Sequence, residues 1–291
     1  MRVFSPAYIT TLAVTFAAAT VLCVAGRRHR GVDAAHPARW ILVANALLAL
    51  ALLVTSGLWL ATTLGNQPFT AANSLPFALC DVAALVAAAA LLSRQRLLVE
   101  ITYFWGLAGS LQSLITPDLK LGWPSLEFVE YVVAHAAIVC AALFLVVGQG
   151  LVPRRRAVLR IWLITLAYSG FVGAVDALTG GNYMYLRHVP SEWTLLSVLG
   201  PWPWYIASAA AVALVLFTLL DLPFWKGRRD PRASVQPVRA RGDGTRRRSA
   251  SNNPTGRTDA RSPQTVGQST GAVGATTVRG TSSGTDPTQA K

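Results

Sequence analysis

The sequence predicts an all-α protein: a polytopic membrane bundle of seven transmembrane helices, N-terminus outside and C-terminus inside. Three observations predict it. Seven apolar blocks approach the roughly 20 residues needed to cross a hydrocarbon core of about 30 Å; they lie near residues 6–25, 40–63, 75–93, 97–116, 127–149, 157–178 and 203–224. The 291 residues are 53% hydrophobic, with a mean hydropathy of +0.43, whereas a soluble domain is roughly 45–50% apolar. Arginines cluster in every second gap between blocks, and cationic loops stay on the cytoplasmic side.

The elements follow in order. Block one has only Arg2 before it and Arg27, Arg28 and Arg30 after it. A secretory signal carries its positive charge first, and Leu22 before Cys23 is not the small residue of a lipoprotein cleavage site, so the block is read as a span. Block two follows Arg39 and ends in a gap without basic residues. Block three presents Ala84, Ala87 and Ala88 on one face as a packing stripe, with Cys80 about five residues inside its outer end; Arg94 and Arg96 follow it.

Block four contains Gly106 with Ser110 and Gly109 with Ser113, small pairs that let helices approach closely. It ends in Gln112, Ser113 and Thr116, then Asp118, and the next gap holds only Lys120. Its inner half carries Glu100, Thr102 and Tyr103. In block five Glu127, Tyr131 and His135 recur at i, i+4 and i+8 and share a stripe, whereas Glu130 points about 140° from His135. Arg154, Arg155, Arg156 and Arg160 mark the fifth gap, and block six ends near Asp176. The loop over 179–203 holds Asn182, Tyr183, Tyr185, Arg187 and His188, then Gly-Pro-Trp-Pro-Trp at 200–204. Its glycines and prolines exclude regular helix, its tryptophans suit the headgroup interface, and its polar aromatic stretch is expected to form a lid or site wall.

The chain therefore divides into a seven-helix transmembrane domain over 1–225 and a basic cytoplasmic tail over 226–291. The tail holds 13 basic and 4 acidic residues of a chain whose net charge is +13. It lacks an apolar stripe and is read as disordered. Its expected partners are membrane lipids, through anionic headgroups, and not nucleic acid. Three cysteines are too few for a disulfide scaffold. No lysine lies in a span, which excludes a Schiff-base chromophore. His135 is the single histidine inside a span, which excludes bis-histidine haem within the chain. No four-ligand zinc set and no phosphate-binding fingerprint is present, so neither metal nor cofactor is expected.

Ionisable groups at membrane depth mark function. Counted at 1.5 Å per residue, Cys80 lies roughly 8 Å and His135 roughly 12 Å from the outer ends of their helices. Gln112, Asp118 and Asp176 belong to the same end. A cysteine and a histidine at one depth make a nucleophile–base pair, in which the thiolate attacks an acyl carbonyl and the imidazole moves the proton. Asp176, Glu127 or Gln112 would orient the histidine or stabilise an oxyanion. Asp81, about 100° from Cys80 on its helix, is read as a local cap. Packing for Cys80 and an interhelical hydrogen bond for His135 stand as the alternative. Two further functional readings remain open: a carrier or receptor that binds a small ligand in the same outer cavity, and a scaffold whose basic tail grips the inner leaflet.

Several blocks carry a resemblance: Leu75-Pro76-Phe77-Ala78-Leu79-Cys80-Asp81, residues 103–112 with Phe104-Trp105-Gly106, Thr116-Pro117-Asp118, His135, Asn182-Tyr183-Met184-Tyr185 and Gly200-Pro201-Trp202-Pro203-Trp204. Together they resemble the YwaF-like bacterial integral membrane family, related to the vertebrate transmembrane protein 164. The resemblance implies an all-helical protein of the bacterial plasma membrane. It also implies acyl chemistry on lipids by a cysteine and a histidine, which fall on Cys80 and His135. Tyr131, Gln112, Asp118, Asp176 and Asn182 are the expected orienting or substrate-contacting residues. The bacterial pattern commonly has a histidine two positions before the cysteine, where this chain has Ala78.

Overall fold

A computed structural model describes residues 6–29, 38–66, 68–117, 122–190 and 194–229. Asp118 and the tail beyond residue 229 lie outside them. The described residues are helical, with no strand among them, and all belong to one compact unit, Met1–Pro237.

Each apolar block is a helix. α1 spans Pro6–Arg28, α2 Arg39–Asn66 and α3 Leu79–Ser93. α4 begins as Arg96–Trp105, passes through a π-helical turn at Gly106–Ser110 and finishes as Leu111–Ile115. α5 runs Leu126–Leu143 into a second π-turn, Phe144–Gly148. α6 spans Ala157–Thr179 and α7 Trp204–Arg229. Five of these segments, Tyr8–Arg28, Arg39–Gly65, Leu126–Gly148, Ala157–Thr179 and Trp204–Trp225, are long and apolar enough to cross a membrane. α3 is apolar but has 15 residues, about 22 Å of helix, less than the hydrocarbon thickness. α4 is interrupted by its π-turn.

Local chemistry sets the ends. Ser125 caps α5, its side chain accepting from the Phe128 amide at 3.2 Å. Arg94 adopts a left-handed conformation after α3, its amide bonded to the Ala90 carbonyl at 2.8 Å. Gly180, at φ +79, stops α6 with its amide on the Asp176 carbonyl at 3.0 Å, the usual glycine solution to a helix C-terminus.

The core lies where α3, α4 and α5 meet α2. Ala84, Ala87 and Ala88 are buried there as the packing stripe predicts. A Cβ added to Gly106 would sit 3.1 Å from the Ala142 Cβ and 3.2 Å from the Ile138 Cγ2, so the small residue sets how closely α4 crosses α5. α6 and α7 are tied to α4 by polar bonds. The Trp105 indole donates to the Thr165 hydroxyl at 2.8 Å, and the Tyr103 hydroxyl donates to the Leu220 carbonyl at 3.0 Å. The Trp162 indole links α6 to the Ala210 carbonyl of α7 at 2.9 Å.

At the arginine-rich end, Glu100 is 1% exposed. Its carboxylate accepts from Arg154 through Nε at 2.9 Å, Nη2 at 3.1 Å and the backbone amide at 2.9 Å. Arg160 adds an ion pair at 3.0 Å. Arg154 lies outside the helices, and its guanidinium is held above its ordinary pKa by the bond to Glu100.

Candidate functional site

The opposite end of the bundle encloses a cavity of about 910 Å³, near the upper end of the roughly 300–1,000 Å³ typical of ligand sites. Cys80, Asp81, Gln112, Glu130, Tyr131 and His135 line it together. Three elements bring them there. Cys80 and Asp81 sit in the first turn of α3. Gln112 and Ser113 follow the π-turn of α4. Glu130, Tyr131 and His135 occupy the second and third turns of α5.

The polar groups form a chain across these helices. The Cys80 Sγ lies 3.9 Å from the Ser113 Oγ, and the Ser113 hydroxyl donates to the Gly109 carbonyl at 3.3 Å. The Ser113 carbonyl accepts the Tyr131 hydroxyl at 3.0 Å. The Tyr131 ring stacks on His135 with centroids 4.0 Å apart and an interplanar angle of 29°. The His135 Nδ1 is 2.7 Å from the Tyr131 carbonyl. A carbonyl can only accept, so Nδ1 carries the proton there and Nε2 keeps its lone pair. Among the described residues no hydrogen bond joins Cys80 directly to His135; Ser113 and Tyr131 stand between them. Asp81 and Glu130 line the same cavity as the His135 ring.

The expected site residues separate into three groups. Cys80, His135, Tyr131, Gln112 and Asn182 line the cavity. Gln112 turns its amide to the Thr116 hydroxyl at 3.1 Å. Asn182 shapes its own loop, accepting from the Arg187 and His188 amides at 2.9 and 3.1 Å and donating to the His188 carbonyl at 2.9 Å. Asp176 is fully buried but is not a lining residue. Its Oδ1 accepts the Tyr183 amide at 2.9 Å, which fixes the loop that follows α6. Asp118 lies outside the described residues. Glu127, on the Tyr131–His135 stripe, is exposed. Asp81 and Glu130, which helical angles alone set aside, both face the cavity.

The loop after α6 is one wall of that cavity, through residues such as Tyr183, Tyr185, Thr194 and Leu196. Tyr183 holds it down: its phenol donates to the Ala71 carbonyl at 3.0 Å and accepts the Leu75 amide at 2.9 Å. Burial, reinforced by the Asp176 carboxylate, raises the Tyr183 pKa above the ordinary tyrosine value, so the donor stays protonated. Tyr168 completes the rim with a 2.9 Å bond to the Phe77 carbonyl, and Tyr205 bonds the Tyr185 carbonyl.

Among the described residues no group of three or more His, Cys, Asp or Glu side chains is placed to hold a metal ion. The arrangement instead offers a thiol, an imidazole with a free Nε2 and two carboxylates at one end of a long apolar cavity. A model of the TMEM164 family matches residues 3–221 of the chain. No curated protein and no solved structure matches it.

Proposed function

The chain belongs to the TMEM164 family, and from that premise we propose that it transfers or hydrolyses lipid acyl chains, with Cys80 as nucleophile and His135 as base. The observation that carries this reading is the shared cavity: a thiol and an imidazole line it together, bridged by Ser113 and Tyr131.

The chemistry balances with these groups alone. The His135 Nε2 takes the Cys80 proton, through Ser113 or a water, and the thiolate attacks the ester carbonyl. A C–S bond forms, the ester C–O bond breaks, and the imidazolium returns its proton to the leaving alkoxide. An acceptor hydroxyl or water then attacks the thioester while His135 takes its proton, and the thiol is regenerated. Gln112 and Tyr131 are the polar contacts for the ester end, and Asn182 keeps the loop wall in place. Asp176 acts one layer back, through Tyr183.

The same reading sets the chain in a bacterial plasma membrane as seven spans. Its N-terminus is outside, its site faces the outer half, and the tail beyond residue 225 lies against anionic headgroups inside. The arginine spacing supports this orientation.

A second reading, a carrier or receptor that binds a small ligand non-covalently, draws support from one observation: the Cys80 thiol meets Ser113 rather than His135. Labelling native membranes with a thiol-reactive lipid probe separates the two. The acyl-transfer reading expects hyper-reactive labelling at Cys80 that collapses in His135→Ala. Equal labelling in both proteins, or an inert Cys80, gives the lead to the binding reading.

A further inference from the structure

The cavity is not closed on all sides. Leu53 and Leu60 of α2 and Leu85 of α3 line it, yet they are 46%, 42% and 45% exposed. Each lies well inside its helix, so the opening is in the flank of the bundle and not at its end. The helix packing gives the reason. Among the described residues α2 and α3 pack on each other and on α5, while α6 and α7 pack on each other and meet the other helices mainly at α4, with Tyr168 bonded to Phe77 at the rim. The α2–α3 side and the α6–α7 side are thus joined behind the cavity and parted in front of it. The polar loop covers the cavity at the Tyr183 end.

The interior of the slot is graded. Its ionisable groups gather at the Cys80 end, and below them come Trp105, Ile138, Leu216 and Phe217, with the Thr165 hydroxyl taken up by the Trp105 indole. On α7 the lining residues run from Tyr205 to Phe217, about 18 Å of helix. One leaflet is half of a hydrocarbon core of about 30 Å, or roughly 15 Å. The slot is therefore as deep as one lipid chain is long in its own leaflet.

We infer that the cavity takes a lipid's hydrocarbon chain sideways from the bilayer, through the gap between α2 and α7, with the ester left beside Cys80. This rests on the lipid reading above and adds the route and the seat of the chain. A chain entering this way exchanges one apolar surrounding for another, so little is lost on leaving the bilayer. Specificity then falls to the polar end and to the floor of the slot at Phe217.

Gly57 supplies the test. It lines the cavity on α2, it is exposed, and a Cβ there meets nothing within 4 Å, so a large side chain enters open space and blocks the mouth without a clash. Gly65, further along the same helix, is equally open but is not a lining residue, and it serves as the control. The full chain carrying Cys80→Ala, which removes covalent chemistry, is reconstituted in phosphatidylcholine vesicles containing a phosphatidylcholine with a mid-chain diazirine. After irradiation, cross-linked peptides are mapped by mass spectrometry. The expected result is adducts on the lining faces of α2 and α7, reduced about tenfold by Gly57→Trp and unchanged by Gly65→Trp. Adducts confined to the outer helix faces, or cavity adducts indifferent to Gly57→Trp, overturn the inference, as does a mouth closed by a second copy of the chain. Cavity adducts without any thioester on Cys80 in the unsubstituted protein would instead sink the enzyme reading and leave the slot standing.

Discussion

The two ends of the bundle treat buried charge differently. At the arginine end, Glu100 is surrounded: two guanidiniums and a backbone amide meet its two oxygens. At the cavity end, Asp81, Glu130 and His135 line one open volume. A buried ion that is fully partnered is part of the fold. Ionisable groups left facing a cavity at membrane depth, where their burial is costly, are the mark of a site. The contrast teaches that position in a span does not by itself flag function, because Glu100 and Asp81 both meet that criterion. What separates them is the opposite charge: Glu100 has two guanidiniums, whereas among the described residues Asp81 and Glu130 have no ion pair and line the cavity.

Breaking either end tests this division. The largest effect is expected from Cys80→Ala, which should bring thioester formation with a radiolabelled lipid to background while leaving thermal unfolding in detergent unchanged. His135→Ala should slow that reaction by about 10²–10⁴-fold, the usual span for a general base, again with little change in unfolding. The arginine end should behave in reverse. Arg154→Ala combined with Arg160→Ala strands Glu100 and should cost about 3–5 kcal/mol of stability; the thiol's labelling rate in the protein that still folds should be unchanged. A double variant that unfolds like the parent would show that Glu100 does not need its partners and would blur the comparison. The smallest effect is expected from Ser113→Ala, which removes one weak bond to the thiol. It should slow thiol labelling by about fivefold, equivalent to about 1 kcal/mol.

Much of the frame was legible in the sequence because hydropathy is a local property. All seven blocks are helices with ends within a few residues of the expected ones, and the alanine face of α3 is buried. The Tyr131–His135 pair was legible because i and i+4 stack on any helix. Asp81 and Glu130 were not. Angles were reckoned on single helices, as though each looked in one direction, but this cavity spreads between several helices and meets α3 and α5 over a wide arc. Ser113 was placed at the polar outer end of its block but given a packing role, and its link between Cys80 and Tyr131 was hidden for a related reason. The π-turn at Gly106–Ser110 inserts a residue into α4 and turns all that follows by about 100°, and no periodicity in the sequence announces it. Asp176 was expected in the site because it sits at the right depth. It faces the loop instead, since the chain leaving α6 at Gly180 needs an acceptor for the Tyr183 amide.

That Tyr183 clamp has a mechanical meaning. One phenol grips both Ala71 and Leu75 in the α2–α3 connection, while its own backbone is held by Asp176 at the end of α6. The two halves of the bundle are pinned together at that rim and at α4 behind. Among the described residues no hydrogen bond pins the remaining edge, so this bundle is built like a clothes peg, with its spring at the phenol and its jaws between Gly57 and Leu216. A peg loses grip when its spring is cut, and Tyr183→Phe removes the bonds to Ala71 and Leu75 together without touching a jaw.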